Sequence, residues 1–233
     1  MLFRSTQICT FVWVYTNYPT ATFRNITVSA VRKRLGAALA KRDIKRGFFP
    51  DIVAPVPDSG RFCAIGYHQE FCRQINEKNI DRIPEYDEVL MKYPYAGRSY
   101  PRSNQTMRDL EAHIKQLRSG ESYFGKKVVV CDDSIRRGTQ TERNLVPKLR
   151  ALGISEIHLR ISNPDSFSYC RWGKTIQKGE LLAARMPSIK KRIHFLRIDS
   201  LEYTTVSELA EAIGLPLEML CIECDLPTQA VLV

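Results

Sequence analysis

The stretch that most constrains this chain runs from Lys127 to Thr141 and reads KVVVCDDSIRRGTQT. Val128, Val129, Val130 and Cys131 form an unbroken apolar run. Such a run reads as a strand buried on both faces, which is the habit of parallel strands. A polar turn containing Gly138 follows, and then a helical pattern over residues 140–152. Parallel strands need a crossover to reach their neighbours, so strand, turn and helix together commit the chain to a parallel sheet covered on both faces.

The rest of the sequence repeats that alternation. Residues 8–15 (ICTFVWVY) read as a buried strand, and residues 28–42 as a helix with Val31, Leu35, Ala38 and Leu39 at helical spacing. Residues 51–56 (DIVAPV) form a short strand, 61–76 a helix and 88–91 a brief strand. Residues 92–104, rich in Tyr, Pro, Gly and Arg without a period, read as a loop. Residues 106–117 look helical, and 156–161 (EIHLRI) is the next strand. Beyond Pro164 the pattern loosens into short elements at 181–184 and 193–198. A helix then spans 205–213, opened by a capping box of Thr205 and Glu208. The last stretch, 214–233, is expected to be a small irregular extension. The expectation is an α/β fold of one domain over residues 1–233.

Composition removes several classes. With 44% apolar and 26% charged residues, the chain is neither disordered nor low in complexity. At 233 residues it folds without needing a disulfide or metal for stability alone. The longest apolar stretch, 8–15, falls short of the ~20 residues that span a bilayer, so no membrane is expected and the cytoplasm is the expected compartment. The seven cysteines then read as thiols or metal ligands. The formal charge of +10 suits a partner bearing phosphate. It is spread over short runs at 32–34, 41–46, 136–137 and 190–192, each of which reads by itself as a solvated face. There is no helix-turn-helix or zinc-finger pattern, so nucleic acid is not an expected partner.

The 132–139 loop carries two kinds of chemistry. A helix N-terminus presents unpaired N–H groups and a positive dipole, which suit a phosphate. Gly138 would let the backbone approach an anion, and Ser134, Thr139 and Thr141 add hydroxyls. Asp132 and Asp133 cannot serve a phosphate. They suit sugar hydroxyls or a Mg2+ ion carried by a diphosphate. A bare Asp-Asp-Ser could equally be an ordinary turn with an aspartate cap. The whole string, however, resembles the phosphoribosyl pyrophosphate (PRPP) signature of type I phosphoribosyltransferases.

The resemblance narrows to the amidophosphoribosyltransferases of purine biosynthesis. PVPDSG at 55–60 looks like their pyrophosphate-side loop, which implies that Asp58, Ser59 and Gly60 bind pyrophosphate and that Ser59 joins Asp132 and Asp133 at Mg2+. Ser134, Arg137, Gly138 and Thr139 fall on the PRPP-binding positions. KYPYAGRSYPRSNQTMR at 92–108 looks like the family's closing loop, which implies catalytic roles for Lys92, Tyr95 and Arg98. Tyr93-Pro94 stands where the family has Asn-Arg, and Arg136 where it has an aliphatic residue. The implied fold is the type I phosphoribosyltransferase fold. The implied reaction makes 5-phosphoribosylamine from PRPP.

Cys221-Ile-Glu-Cys224 alone is ambiguous between zinc, an iron–sulfur cluster, redox chemistry and chance. One branch of the resembled family holds a 4Fe-4S cluster on four cysteines. Cys9, Cys170, Cys221 and Cys224 match that pattern, with zinc as the second choice of metal. Cys63, Cys72 and Cys131 sit in apolar contexts and read as buried thiols. The resemblance makes Cys9 a cluster ligand rather than a glutaminase nucleophile, so the family's glutaminase half is expected to be absent. Ammonia, free or from a separate glutaminase subunit, is the expected nitrogen donor, and a homo-oligomer is expected. The competing reading is a regulatory homologue that senses PRPP or a nucleotide without catalysis.

Overall fold

The computed structural model describes residues 7–77, 79–91, 116–117, 123–170 and 179–226. The chain begins with β1 (Ile8–Cys9), β2 (Thr22–Phe23), β3 (Ile26–Thr27) and helix α1 (Val28–Lys45). Next come β4 (Ile52–Pro55), α2 (Arg61–Asn76), β5 (Glu85–Tyr86), β6 (Leu90–Met91), β7 (Gln116–Leu117) and β8 (Lys127–Asp132). Then follow α3 (Val146–Ala151), β9 (Glu156–Ile161), α4 (Leu182–Arg185), α5 (Ile189–Leu196), β10 (Ser200–Tyr203), α6 (Val206–Ile213) and β11 (Leu220–Cys221).

Among the described residues, five strands pair in parallel in the order β10-β9-β8-β4-β5. Alternate side chains serve opposite faces. Ile52, Ala54, Val128 and Val130 pack with Val146, Leu149, Leu182 and Leu196 on one side. Val53, Val129 and Cys131 pack with Leu39, Ala64, Tyr67 and Phe71 of α1 and α2 on the other. This is the two-sided burial that unbroken apolar strands demand.

Two anchors fix the α1–α2 layer. A Cβ at Gly36 would lie 2.0 Å from the Cys63 carbonyl oxygen, and one at Gly66 would lie 2.0 Å from that of Lys33. The helices therefore touch backbone to backbone at a crossing only glycine permits. Beneath them Arg160 of β9 makes a bidentate ion pair with Asp43 of α1, at 2.6 and 3.0 Å. Tyr67 donates its hydroxyl to the same carboxylate at 2.7 Å. Burial and that neighbouring carboxylate push the Tyr67 phenol far above its ordinary range.

Several expectations need correction. Within residues 8–15 only Ile8 and Cys9 form a strand, and Val12–Thr16 closes a single π-helical turn. Trp13 and Val14 are both fully buried in one small core with Val28, Val31, Leu35, Leu209 and Ile213. Adjacent residues of a strand would point to opposite faces, so a one-sided core requires the turn. The stretch 214–233 is not simply irregular either. Leu220 is buried in that same core, and β11 pairs with β1 so that Cys221 stands beside Cys9. The 88–91 strand shrinks to β6, which pairs with β7. The central sheet instead gains β5, whose Glu85–Tyr86 carries no apolar run. Gln116 and Leu117 belong to β7 rather than to a helix, while 92–115 lie outside the described residues.

The helix expected over 140–152 is interrupted. Thr141–Leu145 is π-helical, with the Val146 N–H reaching back to the Thr141 carbonyl, and α3 starts at Val146. Pro147 has no N–H to continue the ladder, so it sits in the first turn of the new helix. The capping box is present as read from sequence. Glu208 N–H donates to Thr205 Oγ1 at 3.1 Å, and Thr205 N–H to Glu208 Oε2 at 2.6 Å. Cys63 and Cys131 are buried, whereas Cys72 is only half-buried beside His68. Among the described residues no helix is long and apolar enough to cross a membrane.

Candidate functional site

β4 leads through α2 to β5 on one side of it, whereas β8 pairs on its other side and leads on to β9. The strand order therefore reverses between β4 and β8. A crevice opens at the carboxyl ends of strands at such a point, and ligands of open parallel sheets bind there. The two loops that leave those ends are 56–60 and 133–139, the two segments singled out from sequence.

The first loop is held against β8 by its backbone. Val56 N–H donates to the Cys131 carbonyl at 2.8 Å, and Gly60 N–H to the Val56 carbonyl at 2.9 Å. A Cβ on Gly60 would lie 1.9 Å from the Cys131 carbonyl oxygen, so only glycine fits. The peptide between Pro57 and Asp58 is cis. Ser59 Oγ then donates to Asp132 Oδ1 at 2.8 Å, joining the two loops. The same oxygen accepts the Asp133 N–H at 2.8 Å, and Ser134 Oγ donates to Asp133 Oδ2 at 2.6 Å. Asp58 is exposed on the outer side, 3.4 Å from Arg61.

Electrostatics mark the same place. Asp132 is pushed well above the carboxylate range, first by desolvation and then by the neighbouring Asp133 charge, while Ser59 opposes the shift. Two crowded carboxylates with a hydroxyl between the loops form a hard-oxygen donor set that a divalent cation would neutralise. Ser59, Asp132 and Asp133 therefore fit Mg2+.

The second half of the loop is less open than its sequence suggests. Arg137 is committed to Glu180, at 2.5 and 3.1 Å. Gly138 adopts φ +79°, and a Cβ there would meet Leu182 at 3.0 Å and Leu196 at 3.3 Å. Its glycine is needed for a left-handed turn under those leucines, which sets the course of the loop backbone. Thr139 is exposed and Thr141 buried.

Arg32 belongs to this site although its charge run reads as a solvated face. It is 4% exposed and donates to the Trp13 and Asn17 carbonyls at 3.0 Å each. Burial lowers its pKa, and the Asp133 charge opposes that shift. Together with Tyr15, Tyr18, Asp58 and Ser59 it walls a cavity of about 440 Å³. The available signal is register, since Arg32 falls on the face of Val28, Leu35 and Leu39. Lys92, Tyr95 and Arg98 lie outside the described residues.

Three of the four cysteines line a second cavity beside the same loop. Cys9, Cys170 and Cys224 line about 500 Å³ of space together with Asp133, Ser134 and Arg136. Cys221 is the register partner of Cys9. Burial raises Cys9 despite its opening onto the cavity, with the Cys221 and Cys170 charges adding to the effect. Burial pushes Cys224 up to about 12, and burial carries Asp225 up to about 6. As the side chains stand, the described residues include no group of three His, Cys, Asp or Glu already arranged to hold a metal ion. The donors fit a thiolate-bound metal in kind: Cys9, Cys170 and Cys224 are soft sulfurs on one cavity, and Cys221 stands beside Cys9 in the β1–β11 pair.

No protein-family model matches the chain. The amidophosphoribosyltransferase of Methanocaldococcus jannaschii is 34% identical over 223 residues, covering 96% of this chain and 44% of that protein. The amidophosphoribosyltransferase of Synechococcus elongatus is 32% identical over 221 residues, covering 94% and 41%. Among solved structures, the glutamine PRPP amidotransferase from B. subtilis, complexed with ADP and GMP, matches with a TM-score of 0.76 and 30% identity. That match covers 94% of this chain and 46% of the other. The chain spans less than half the length of these relatives.

Proposed function

The chain is a homologue of the phosphoribosyltransferase half of the amidophosphoribosyltransferases, and we propose that it makes 5-phosphoribosylamine from PRPP and ammonia in purine biosynthesis. The observation that carries this reading is the Ser59–Asp132 hydrogen bond, which joins a pyrophosphate-type loop to a ribose-type loop at the reversal of strand order. The reading takes residues 1–233 as one phosphoribosyltransferase domain.

In this reading Asp132 and Asp133 hold the ribose hydroxyls, while Ser134, Arg137, Gly138 and Thr139 cradle the 5′-phosphate. Asp58, Ser59 and Gly60 hold the pyrophosphate. Ser59, Asp132 and Asp133 would hold Mg2+, which would supply charge neutralisation to the leaving pyrophosphate. The C1–O bond breaks with its electron pair leaving on pyrophosphate, ammonia forms the C1–N bond, and the extra proton passes to solvent. Catalysis is then chiefly positioning and leaving-group stabilisation. Lys92, Tyr95 and Arg98 would act on closure of the 92–104 segment, excluding water from the ribosyl centre.

Cys9, Cys170, Cys221 and Cys224 would hold a 4Fe-4S cluster in this reading, with zinc as the second choice. The nitrogen donor for this chain is free ammonia or ammonia delivered by a separate glutaminase subunit. A homo-oligomer in the cytoplasm is the expected setting. Pyrophosphate release from Mg2+–PRPP, measured with and without ammonia on protein purified without air, tests the proposal. Ammonia-dependent release is expected. PRPP binding without any such release would overturn it in favour of a PRPP-sensing regulator.

A further inference from the structure

Arg136 is the loop residue whose charge turns inward. Its neighbour Arg137 is paired with Glu180 at the surface. The Arg136 guanidinium instead lies 4.2 Å from the centroid of the Phe11 ring, two residues from Cys9. It shares the wall of the rear cavity with Cys9, Cys170 and Cys224 and with Asp133 and Ser134.

The backbone around it is tied down twice. The Arg136 carbonyl accepts the Leu182 N–H at 2.7 Å. On the other side of the loop, Asn163 N–H donates to the Asp133 carbonyl at 2.9 Å while its side-chain amide donates to Asp225 Oδ1, also at 2.9 Å. Phe167 and Ser168 N–H groups hold the Cys224 carbonyl at 2.9 and 3.1 Å. The cysteine-bearing tail and the 132–139 loop therefore share a short network, and the Arg136 side chain lies in the wall of the cavity next to it.

We propose that Arg136 couples the filling of the four-cysteine site to the grip of the 132–139 loop on PRPP. This rests on the reading that those cysteines hold a metal centre. Four thiolates around zinc, or around a 4Fe-4S cluster in its common oxidised form, carry net negative charge, and Arg136 is the cation facing it. A filled site holds the guanidinium inward and fixes the loop backbone. PRPP then binds a loop whose ordering cost has already been met. Linkage makes the effect reciprocal, so PRPP tightens metal binding by the same factor. Arg136 is a positioning residue here and touches no reacting atom.

The test compares Mg2+–PRPP affinity by calorimetry in metal-loaded and chelator-stripped protein, for the parent, Arg136→Met and Arg136→Lys, with metal content measured alongside. The parent is expected to bind PRPP about tenfold more tightly when loaded. Arg136→Met should bring that ratio close to one at unchanged metal content, and Arg136→Lys should recover part of it. In iron-loaded protein, Arg136→Met should also lower the cluster's reduction potential, because a cation no longer favours the more negative reduced form. An unchanged ratio in Arg136→Met overturns the coupling, as does a parent that binds metal and shows no ratio. Metal lost from Arg136→Met but kept by Arg136→Lys supports the proposal, and metal lost from both overturns it. A parent that takes up no metal removes the metal-centre reading itself, and metal analysis distinguishes that failure from the others.

Discussion

Substituting Gly60 with alanine tests the crevice most directly. A Cβ at this position would lie 1.9 Å from the Cys131 carbonyl oxygen and 2.9 Å from the Val56 nitrogen. Ordinary contact begins near 3.4 Å, so the carbonyl and the loop must separate by about 1.5 Å. Neither partner is a flexible side chain. Cys131 sits in the centre of the sheet, so the 56–60 loop gives way, carrying Ser59 off its 2.8 Å bond to Asp132. Overpacking of this kind costs about 1–3 kcal/mol of stability, or roughly 2–4 °C of melting temperature per kcal/mol at this size. The functional loss should be larger, because misplacing a positioned group by ~1 Å costs about a hundredfold in rate. Gly66→Ala is the control. Its Cβ would lie 2.0 Å from the Lys33 carbonyl, about 9 Å further along the same helix. Calorimetry with Mg2+–PRPP and thermal melts should find both variants destabilised, with PRPP affinity lost only in Gly60→Ala. Parent-like PRPP affinity in Gly60→Ala would refute the assignment of this loop to the ligand.

Asp43→Ala should destabilise the fold by about 3–5 kcal/mol in urea titrations, because it strands the buried Arg160 guanidinium. The double variant Asp43→Leu/Arg160→Met should recover most of that loss. Asp132→Asn together with Asp133→Asn should abolish Mg2+–PRPP binding by calorimetry while the melting temperature holds or rises, since two crowded charges are removed. Stability should also fall in mild acid through His158. Its folded pKa lies below the ordinary 6.5, first through burial and then through Arg160, with Glu156 and Asp199 opposing. The unfolded chain therefore binds the proton more readily, and stability is lost as pH falls below about 6.5, by up to ~1.4 kcal/mol per pH unit. His158→Gln should flatten that slope between pH 6.5 and 5 relative to the parent, and equal slopes would remove His158 as the cause.

The sheet was legible where burial was two-sided and illegible where it was not. Val128 to Cys131 is apolar at every step, which marks a buried parallel strand in the sequence, whereas the burial of His158 and Arg160 between Ile157, Leu159 and Ile161 appears only in the structure. Glu85–Tyr86 and Ser200–Tyr203 sit at the two edges of the sheet and carry mixed residues, so no run or alternation marks them. The helix Ile189–Leu196 was hidden by Lys190, Lys191 and Arg192, which read as solvated charge. Arg192 is in fact 1% exposed, paired with Asp165 at 2.5 Å and bonded to the Pro187 carbonyl at 3.0 Å. A charged residue can enter a core when partners distant in sequence complete it, and those partners are what a linear reading cannot see.

The site divides along the same physical line. The loops 55–60 and 132–139 were readable because their chemistry is local: glycine where backbone must approach backbone, hydroxyls and carboxylates in a fixed order. Their meeting was implied only by resemblance, and the Ser59–Asp132 bond spans 73 residues. Arg32 and Arg136 were harder. Each sits in a run of basic residues whose other members are solvated or paired at the surface, so charge counting assigns all of them the same role. Packing separates them. Arg32 shares its helix face with Val28 and Leu35, and Arg136 precedes an arginine already satisfied by Glu180. Arg32 feels the Asp133 charge from the side of the 56–60 loop, and Arg136 stacks on Phe11 in the cavity that it shares with the cysteines. The two arginines thus serve different cavities, Arg32 the one walled by Asp58 and Ser59 and Arg136 the one walled by the cysteines, a division that charge counting along the chain cannot make.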